Sequence, residues 1–191
     1  NVTDMSYMFQ DAWSFNQNIS AKLVTKGTTT YLAWNTEKVK TMKYMFNTSD
    51  YLNAAGDFNN GQAFDLNNLQ GTNPLYWNTS DLTDMEFMFK GARRFNQKVS
   101  FDYITLTNGS VTESFYVWNT SKVKTMKRTF GYCECFNNGE LPGNSNQPLN
   151  WDTSVVTNVR YMFGLYNKLA KPERYGSYNQ PMNTTTVTVN G

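Results

Sequence analysis

The chain has 191 residues, which is long enough for one continuous hydrophobic core. It contains no histidine, which excludes histidine-dependent catalytic triads and histidine-based metal centres. Its formal net charge is only +2, whereas an array that binds nucleic acid is expected to carry a concentrated basic face. Aromatic residues make up 16% of the chain, so the composition is that of an ordered protein.

One short apolar motif occurs five times and always ends in phenylalanine. Four of the copies follow a tryptophan turn, and each copy precedes an aromatic residue with an asparagine after it. The copies, numbered one to five, are residues 1–9, 38–46, 81–89, 122–130 and 155–163. Tandem repetition of this kind predicts units that stack, because one unit alone cannot bury its apolar face.

The repeat predicts the domain organisation. We expect one array over residues 1–191, in five units: 1–33, 34–76, 77–117, 118–150 and 151–191. Neither end carries the polar capping unit that such arrays need, so we expect the chain to be a segment of a longer protein.

The spacing of apolar residues within each motif copy predicts a helix. In copy three, Met85, Met88 and Phe89 lie at positions i, i+3 and i+4, on one helical face. Thr83 is a suitable N-cap, and Glu86 three residues later completes a capping box. We expect this Met/Phe stripe to form the core. The tryptophans should stack from unit to unit, and the asparagine after each second aromatic residue should form an internal ladder.

Units one and three each contain a predicted β-hairpin. The first covers Ile19–Trp34 and turns at Lys26-Gly27; the second covers Val99–Trp118 and turns at Asn108-Gly109, a strong hairpin signal. The last residues, Val187–Gly191, are predicted to be the first half of a third hairpin, which ends at its turn. In units two and four, the corresponding segments are predicted loops, Gln62–Asn73 and Glu140–Gln147.

The repeated sequence Trp-Asn-Thr-Ser-x-Val-Thr-x-Met-x-x-Met-Phe, followed by Phe-Asn-Gln, resembles the BspA-type leucine-rich repeats. These are also described as a domain of unknown function in mycoplasma surface lipoproteins, and they occur in protists and in large algal or protist viruses. The resemblance implies an α/β leucine-rich-repeat-like solenoid, with one short strand and one helix per coil and with hairpin insertions in alternate units. It also implies surface exposure and adhesion or host contact, and it supplies no catalytic residues.

Charge alternates between neighbouring units. Lys38 and Lys43 of copy two occupy positions that match Asp81 and Glu86 of copy three, and copy four is again rich in lysine. Two interpretations are open. Neighbouring units can pair their exposed charges, or whole arrays can associate sideways through complementary stripes.

The two cysteines, Cys133 and Cys135, are interpreted as structural. Cys133 occupies a position that is alanine or serine in other units, which predicts a buried free thiol. A disulfide between residues two apart is strained, and a zinc site needs two further ligands.

Asparagine-linked glycosylation sequons occur at several positions. Asn108 lies at a predicted hairpin tip and is the first candidate, and Asn18 and Asn47 are the others.

The sequence predicts a protein that is not an enzyme, with no catalytic residue, cofactor or metal site, since it also lacks a phosphate-binding glycine motif. We predict a module at the cell or virion surface that contacts a protein or glycan. The alternative is a structural scaffold, such as a self-associating filament or virion-surface component. No nucleic-acid partner and no membrane span are expected. The candidate interaction residues are the hairpin aromatics Tyr31, Tyr103, Phe115 and Tyr116.

Overall fold

A computed structural model of the protein describes residues 2–49, 56–65, 67–164, 178 and 180. Its strands form two separate two-stranded antiparallel sheets. The first sheet pairs β1 (Lys22–Lys26) with β2 (Thr29–Ala33), and the second pairs β3 (Asp102–Asn108) with β4 (Val111–Val117). The described residues form no helix, and hence none that could cross a membrane.

The predicted α/β leucine-rich-repeat-like solenoid is therefore wrong, because the described residues contain only these four strands and no helix. The reason lies at the seventh residue of each motif copy. A right-handed helix requires φ near about −63°, but these residues have φ between +52° and +62°. They are Tyr7, Tyr44, Phe87, Arg128 and Tyr161.

Along each motif copy, backbone N–H groups alternate between two kinds of hydrogen bond. One kind is made to a carbonyl oxygen of the next copy, and the other to a carbonyl oxygen of the same copy. In copy three, the N–H groups of Met85, Phe87 and Phe89 donate to carbonyls of copy four at 2.9–3.1 Å. Those of Met88 and Lys90 donate to carbonyls three residues earlier, at 3.1–3.2 Å. Consecutive copies thus lie side by side in parallel register. Isolated parallel bridges connect their fourth residues, which are Asp4, Thr41, Asp84, Thr125 and Asn158.

The predicted helix cap at Thr83 is also wrong. Its N–H and its hydroxyl group both donate to the carbonyl oxygen of Lys40, at 2.9 Å each, so Thr83 joins copy three to copy two. The carboxylate of Glu86 does not complete a capping box either, because it forms ion pairs with lysines of the two neighbouring copies.

The prediction that the Met/Phe stripe forms the core is confirmed for copies two to four, where the methionines and phenylalanines of the stripe are buried. The last phenylalanines of the copies form a column, with ring centroids 5.4 Å apart from Phe46 to Phe89 and 5.5 Å apart from Phe89 to Phe130. A second aromatic column runs alongside, and Phe95 of that column lies 4.4 Å from Phe89. Met8 of copy one is exposed instead.

The tryptophan stack is confirmed for Trp77, Trp118 and Trp151, whose rings lie 6.3 Å and 5.9 Å apart along the array. The indole N–H of each one donates to a backbone carbonyl at 2.6–2.8 Å. Each ring is therefore fixed in the stack by a polar contact as well as by apolar packing.

The predicted asparagine ladder is confirmed. The Oδ1 atom of Asn16 accepts from the N–H of Asn59 at 2.8 Å, and that of Asn59 accepts from the N–H of Asn96 at 2.9 Å. The Oδ1 atom of Asn96 in turn accepts from the N–H of Asn137 at 2.7 Å. These side chains satisfy backbone groups that the turns leave without partners.

Both described hairpins agree with the sequence prediction. They turn at Gly27 and Gly109, whose φ values of +63° and +61° suit glycine. The third predicted hairpin lies outside the described residues. The described parts of Gln62–Asn73 and Glu140–Gln147 contain no strand, as predicted.

Candidate functional site

The two hairpins stand beside the stacked motif copies and contact each other. The side-chain amide of Asn108, at the end of β3, donates to the carbonyl oxygen of Leu23 and to the hydroxyl group of Thr25 in β1, both at 3.2 Å. Strands β1 and β3 are thus neighbours although they are not paired in one sheet. The name "paired ribbons" is used below for β1–β2 and β3–β4 together.

The β3–β4 hairpin presents one aromatic and hydroxyl face. Strand pairing places Tyr103 opposite Tyr116, with ring centroids 4.8 Å apart, and Phe101 stacks on Tyr116 at 5.2 Å. Further along the same face, pairs of hydroxyl groups bond to each other across the strands, from Thr105 to Ser114 and from Thr107 to Thr112. Tyr103 is the most exposed of these aromatic residues, at 57%.

The opposite face of this hairpin turns inwards. Ile104 and Phe115 are opposite each other and pack against the hydrophobic core, and Val117 is buried. The four candidate interaction residues are therefore placed differently. Tyr103 and Tyr31 are exposed, Tyr116 is half-buried beside Tyr103, and Phe115 contacts the core.

The three candidate glycosylation residues also lie in different environments. Asn18 is exposed, and its Oδ1 atom accepts from the N–H of Ser20. The amide nitrogen of Asn108, the atom that would carry a glycan, is engaged with the first hairpin. Asn47 is only 3% exposed, and its Oδ1 atom accepts from Lys90. Of the three, Asn18 has the most accessible side chain.

The thiol groups are structural in character. Both cysteines are free, and Cys133 is buried with its Sγ atom 2.8 Å from the carbonyl oxygen of Phe89, to which it donates. This agrees with the prediction of a buried free thiol. Burial raises the pKa of Cys133 well above that of an ordinary thiol, and raises the pKa of Cys135 to about 11. Both groups therefore stay protonated near neutral pH.

A small open cleft lies between the predicted loop Gln62–Asn73 and the second aromatic column. Its enclosed volume is about 10 Å³, room for about one water molecule, and Phe64, Arg94 and Cys135 contribute to its walls. The guanidinium group of Arg94 lies over the Phe64 ring at 4.8 Å and also pairs with Asp57. The cation is thus already neutralised. No cluster of three or more acidic or cysteine side chains that could hold a metal occurs within the described ranges.

The alternating charges pair between neighbouring copies. Glu86 bonds to Lys43 of copy two at 2.9 Å and to Lys127 of copy four at 2.7 Å, and Asp81 bonds to Lys122 at 2.7 Å. Burial raises the pKa of Glu86, but the two ammonium groups outweigh it and hold this pKa below the ordinary value of a glutamate. This arrangement agrees with the first of the two interpretations, pairing within one array.

We predict that Glu86→Gln lowers the free energy of unfolding by about 1 kcal/mol, because two partly screened ion pairs are lost. Since the pKa of Glu86 is lowered by folding, its contribution is present above the unfolded value of about 4.3 and is lost as the pH falls below it. Denaturant unfolding at pH 7 and at pH 3 measures both effects. Asp81→Asn is the matched control, because its partner Lys122 is more exposed than Lys43 and Lys127, the partners of Glu86. An equal loss for both variants at pH 7 would contradict the special position of Glu86.

Two groups of residues in the structure were not predicted from the sequence. One is an outer aromatic column, in which Tyr7, Tyr44 and Phe87 stack at 5.1 Å and 4.5 Å. The other is the contact between Lys90 and Asn47. Alignment of the five copies could have found both groups, since each one joins residues at the same motif position.

The fold and the paired ribbons define a tandem-repeat protein, in which short turn motifs stack through aromatic columns and carry hairpins at their side. The family model described as "Mycoplasma protein of unknown function, DUF285" matches residues 1–69, 28–115 and 101–188. The chain belongs to this family. No curated protein and no solved structure matches it.

Proposed function

We propose that this protein is a non-catalytic recognition module, located at a cell or virion surface, that contacts a protein or glycan through its paired ribbons. The observation that carries the proposal is the exposed aromatic and hydroxyl face of β3–β4. An exposed tyrosine surrounded by hydroxyl groups is typical of surfaces that bind other molecules, because it offers apolar area together with hydrogen-bonding groups.

The contrast between the buried aromatic columns and the exposed face of β3–β4 supports this proposal. The phenylalanine and tryptophan columns are buried against one another, so they are committed to stability. The outer face of β3–β4 makes no contribution to that core. Binding residues are commonly found on such additions to a rigid scaffold. The resemblance to BspA-type surface repeats supports the surface location.

A point substitution tests the proposal without removing the hairpin. We expect Tyr103→Ser to reduce binding at least about tenfold, as for an aromatic residue at the centre of an interface, while the melting temperature stays within a few degrees. Binding of the wild-type protein and the variants is measured on a glycan array and on an array of purified extracellular proteins. Tyr7→Ser is the matched control, because Tyr7 is also exposed, at 52%, but stacks on Tyr44 of copy two and not on a hairpin residue.

Removal of the hairpin gives a second test. Replacing residues 103–116 by a short Gly/Ser turn should abolish binding, and the shortened protein should still unfold cooperatively, although at a lower temperature because Ile104 and Phe115 leave the core. Retained binding would place recognition elsewhere, for example in Gln62–Asn73. A wild-type protein that binds neither array but sediments as a large assembly would favour the alternative, a self-associating scaffold.

A further inference from the structure

A lysine and an asparagine are buried side by side between copies two and three. Lys90 is 8% exposed and Asn47 is 3% exposed, and the Nζ atom of Lys90 lies 3.2 Å from the Oδ1 atom of Asn47. Both residues directly follow the last phenylalanine of their motif copies. The backbone register holds them in place, because the N–H of Thr48 donates to the carbonyl oxygen of Lys90 at 2.9 Å.

Two aromatic rings lie near the ammonium group. The Nζ atom of Lys90 lies 5.7 Å from the centre of the Phe87 ring and 5.8 Å from that of Tyr132. Burial lowers the pKa of Lys90, the positive charge of Arg128 lowers it further, and Asp11 opposes both effects. A larger share of Lys90 is therefore a neutral amine, a nucleophile, than of a lysine in water.

The side-chain amide carbon of Asn47 supplies the electrophile. The Cγ atom of Asn47 is one bond from the Oδ1 atom that Lys90 contacts, and the backbone register of the stack places both side chains next to each other. Such proximity replaces the encounter of two free molecules and can accelerate a reaction by many orders of magnitude. Asp11 of the first unit is the other neighbour of Asn47, and its backbone N–H donates to the backbone carbonyl oxygen of Asn47 at 2.9 Å.

We propose that Lys90 and Asn47 condense to an intramolecular isopeptide bond that links copies two and three covalently. The Lys90 ammonium first loses a proton to water, and its nitrogen lone pair then attacks the Cγ atom of Asn47. A proton passes from Nζ to Nδ2, the Cγ–Nδ2 bond breaks, and ammonia leaves and takes up a proton. The products are a secondary amide and one ammonium ion, so atoms and charge balance without an oxidant or a further reactant.

The bond would act as a clamp between two copies. It closes a loop of chain that contains Gln62–Asn73, and a covalent link of this kind restricts the unfolded chain, as a disulfide does. The free thiols of this protein provide no such link. Formation is faster at higher pH, because the neutral fraction of Lys90 rises until the pH exceeds its pKa.

The intact mass of the full chain tests the proposal. After incubation of the folded protein at pH 7 and pH 9, we expect a mass lower than the sequence value by one ammonia, reached sooner at pH 9. Proteolysis should then yield one branched peptide that contains residues 47 and 90. Cleavage within residues 62–73 should leave two fragments that stay together on a denaturing gel.

Matched variants separate this bond from other losses of ammonia. Lys90→Arg and Asn47→Ala should both show the full sequence mass and a lower melting temperature, whereas Lys98→Arg, which changes a half-exposed lysine paired with Asp102, should still lose ammonia. Asn-Gly sequences can also lose ammonia as they cyclise. Loss that persists in Lys90→Arg, or wild-type protein that is folded and keeps its sequence mass at pH 9, overturns the proposal. Because the wild-type measurement decides alone, a variant that fails to fold does not weaken the test.

Discussion

Replacing Phe89 by alanine is expected to lower the free energy of unfolding by about 3–5 kcal/mol. The ring of Phe89 is fully buried at the centre of the molecule, with Phe46 and Phe130 stacked on its two sides at 5.4 Å and 5.5 Å. Phe95 lies beside it at 4.4 Å, and Trp118 at 6.3 Å. Truncation leaves a cavity between rings that are fixed by their own copies, so the site has little freedom to collapse.

Denaturant unfolding followed by circular dichroism measures the loss. Tyr103→Ala is the matched control, because it removes an exposed aromatic ring and should change stability by no more than about 0.5 kcal/mol. If the two substitutions cost the same, the aromatic columns are not what holds the copies together.

The core could be predicted from the sequence, but its backbone could not. The spacing at i, i+3 and i+4 correctly predicted that the side chains of Met85, Met88 and Phe89 are all buried in the core. A turn that repeats its geometry every few residues produces the same spacing. The deciding feature is the positive φ of Phe87, and aromatic residues adopt that conformation rarely enough that no propensity argument predicts it.

The repeated strain has a physical compensation. A bulky residue with positive φ costs of order 1–3 kcal/mol. At Phe87 this conformation lets the N–H donate to the backbone carbonyl of Lys127 in the next copy, while the carbonyl of Phe87 accepts from the N–H of Lys90, which directly follows copy three. The geometry is stable only in a stack, which explains why the sequence of one copy alone pointed to a helix.

The hairpins could be predicted because their signals are local. Asn108-Gly109 between two strand-like segments determines the turn, and pairing follows from it. The alternation of side chains along β4 also indicates that Phe115 faces the core, since Phe115 and the buried Val117 lie on one face of the strand. Aromatic character alone does not distinguish Phe115 from Tyr103, whereas this alternation does.

Contacts between residues of different units could not be predicted from local sequence, because they depend on the register in which the copies stack. Nothing local indicates that Asn108 reaches β1, or that Lys90 lies against Asn47. These contacts join residues about one or two units apart, and the different insertions change the interval from one unit to the next. Alignment of the motif copies places Lys90 beside Asn47, because both follow the last phenylalanine of a copy, but only the structure shows that Asn108 reaches β1.

Replacing Asn96 by alanine is expected to cost about 3–4 kcal/mol, because it leaves several buried polar groups without partners at about 1–3 kcal/mol each. The amide nitrogen of Asn96 donates to the carbonyl oxygens of Leu69 at 2.6 Å and Glu140 at 2.9 Å. Its Oδ1 atom accepts from the N–H groups of Asn137 and Gly139, at 2.7 Å and 3.0 Å. One side chain thus anchors both loops to the stack.

Denaturant unfolding measures this loss, with Asn68→Ala as the control, since Asn68 is exposed and caps only its own turn. Asn96→Asp sharpens the test. Its carboxylate keeps both acceptor contacts but faces the carbonyl oxygens of Leu69 and Glu140, so folding should raise its pKa. The protonated form can donate to one of these carbonyls, and the stability of Asn96→Asp relative to the wild type should therefore increase as the pH falls. A stability difference that does not change with pH would mean that these carbonyl oxygens do not face the side chain at position 96.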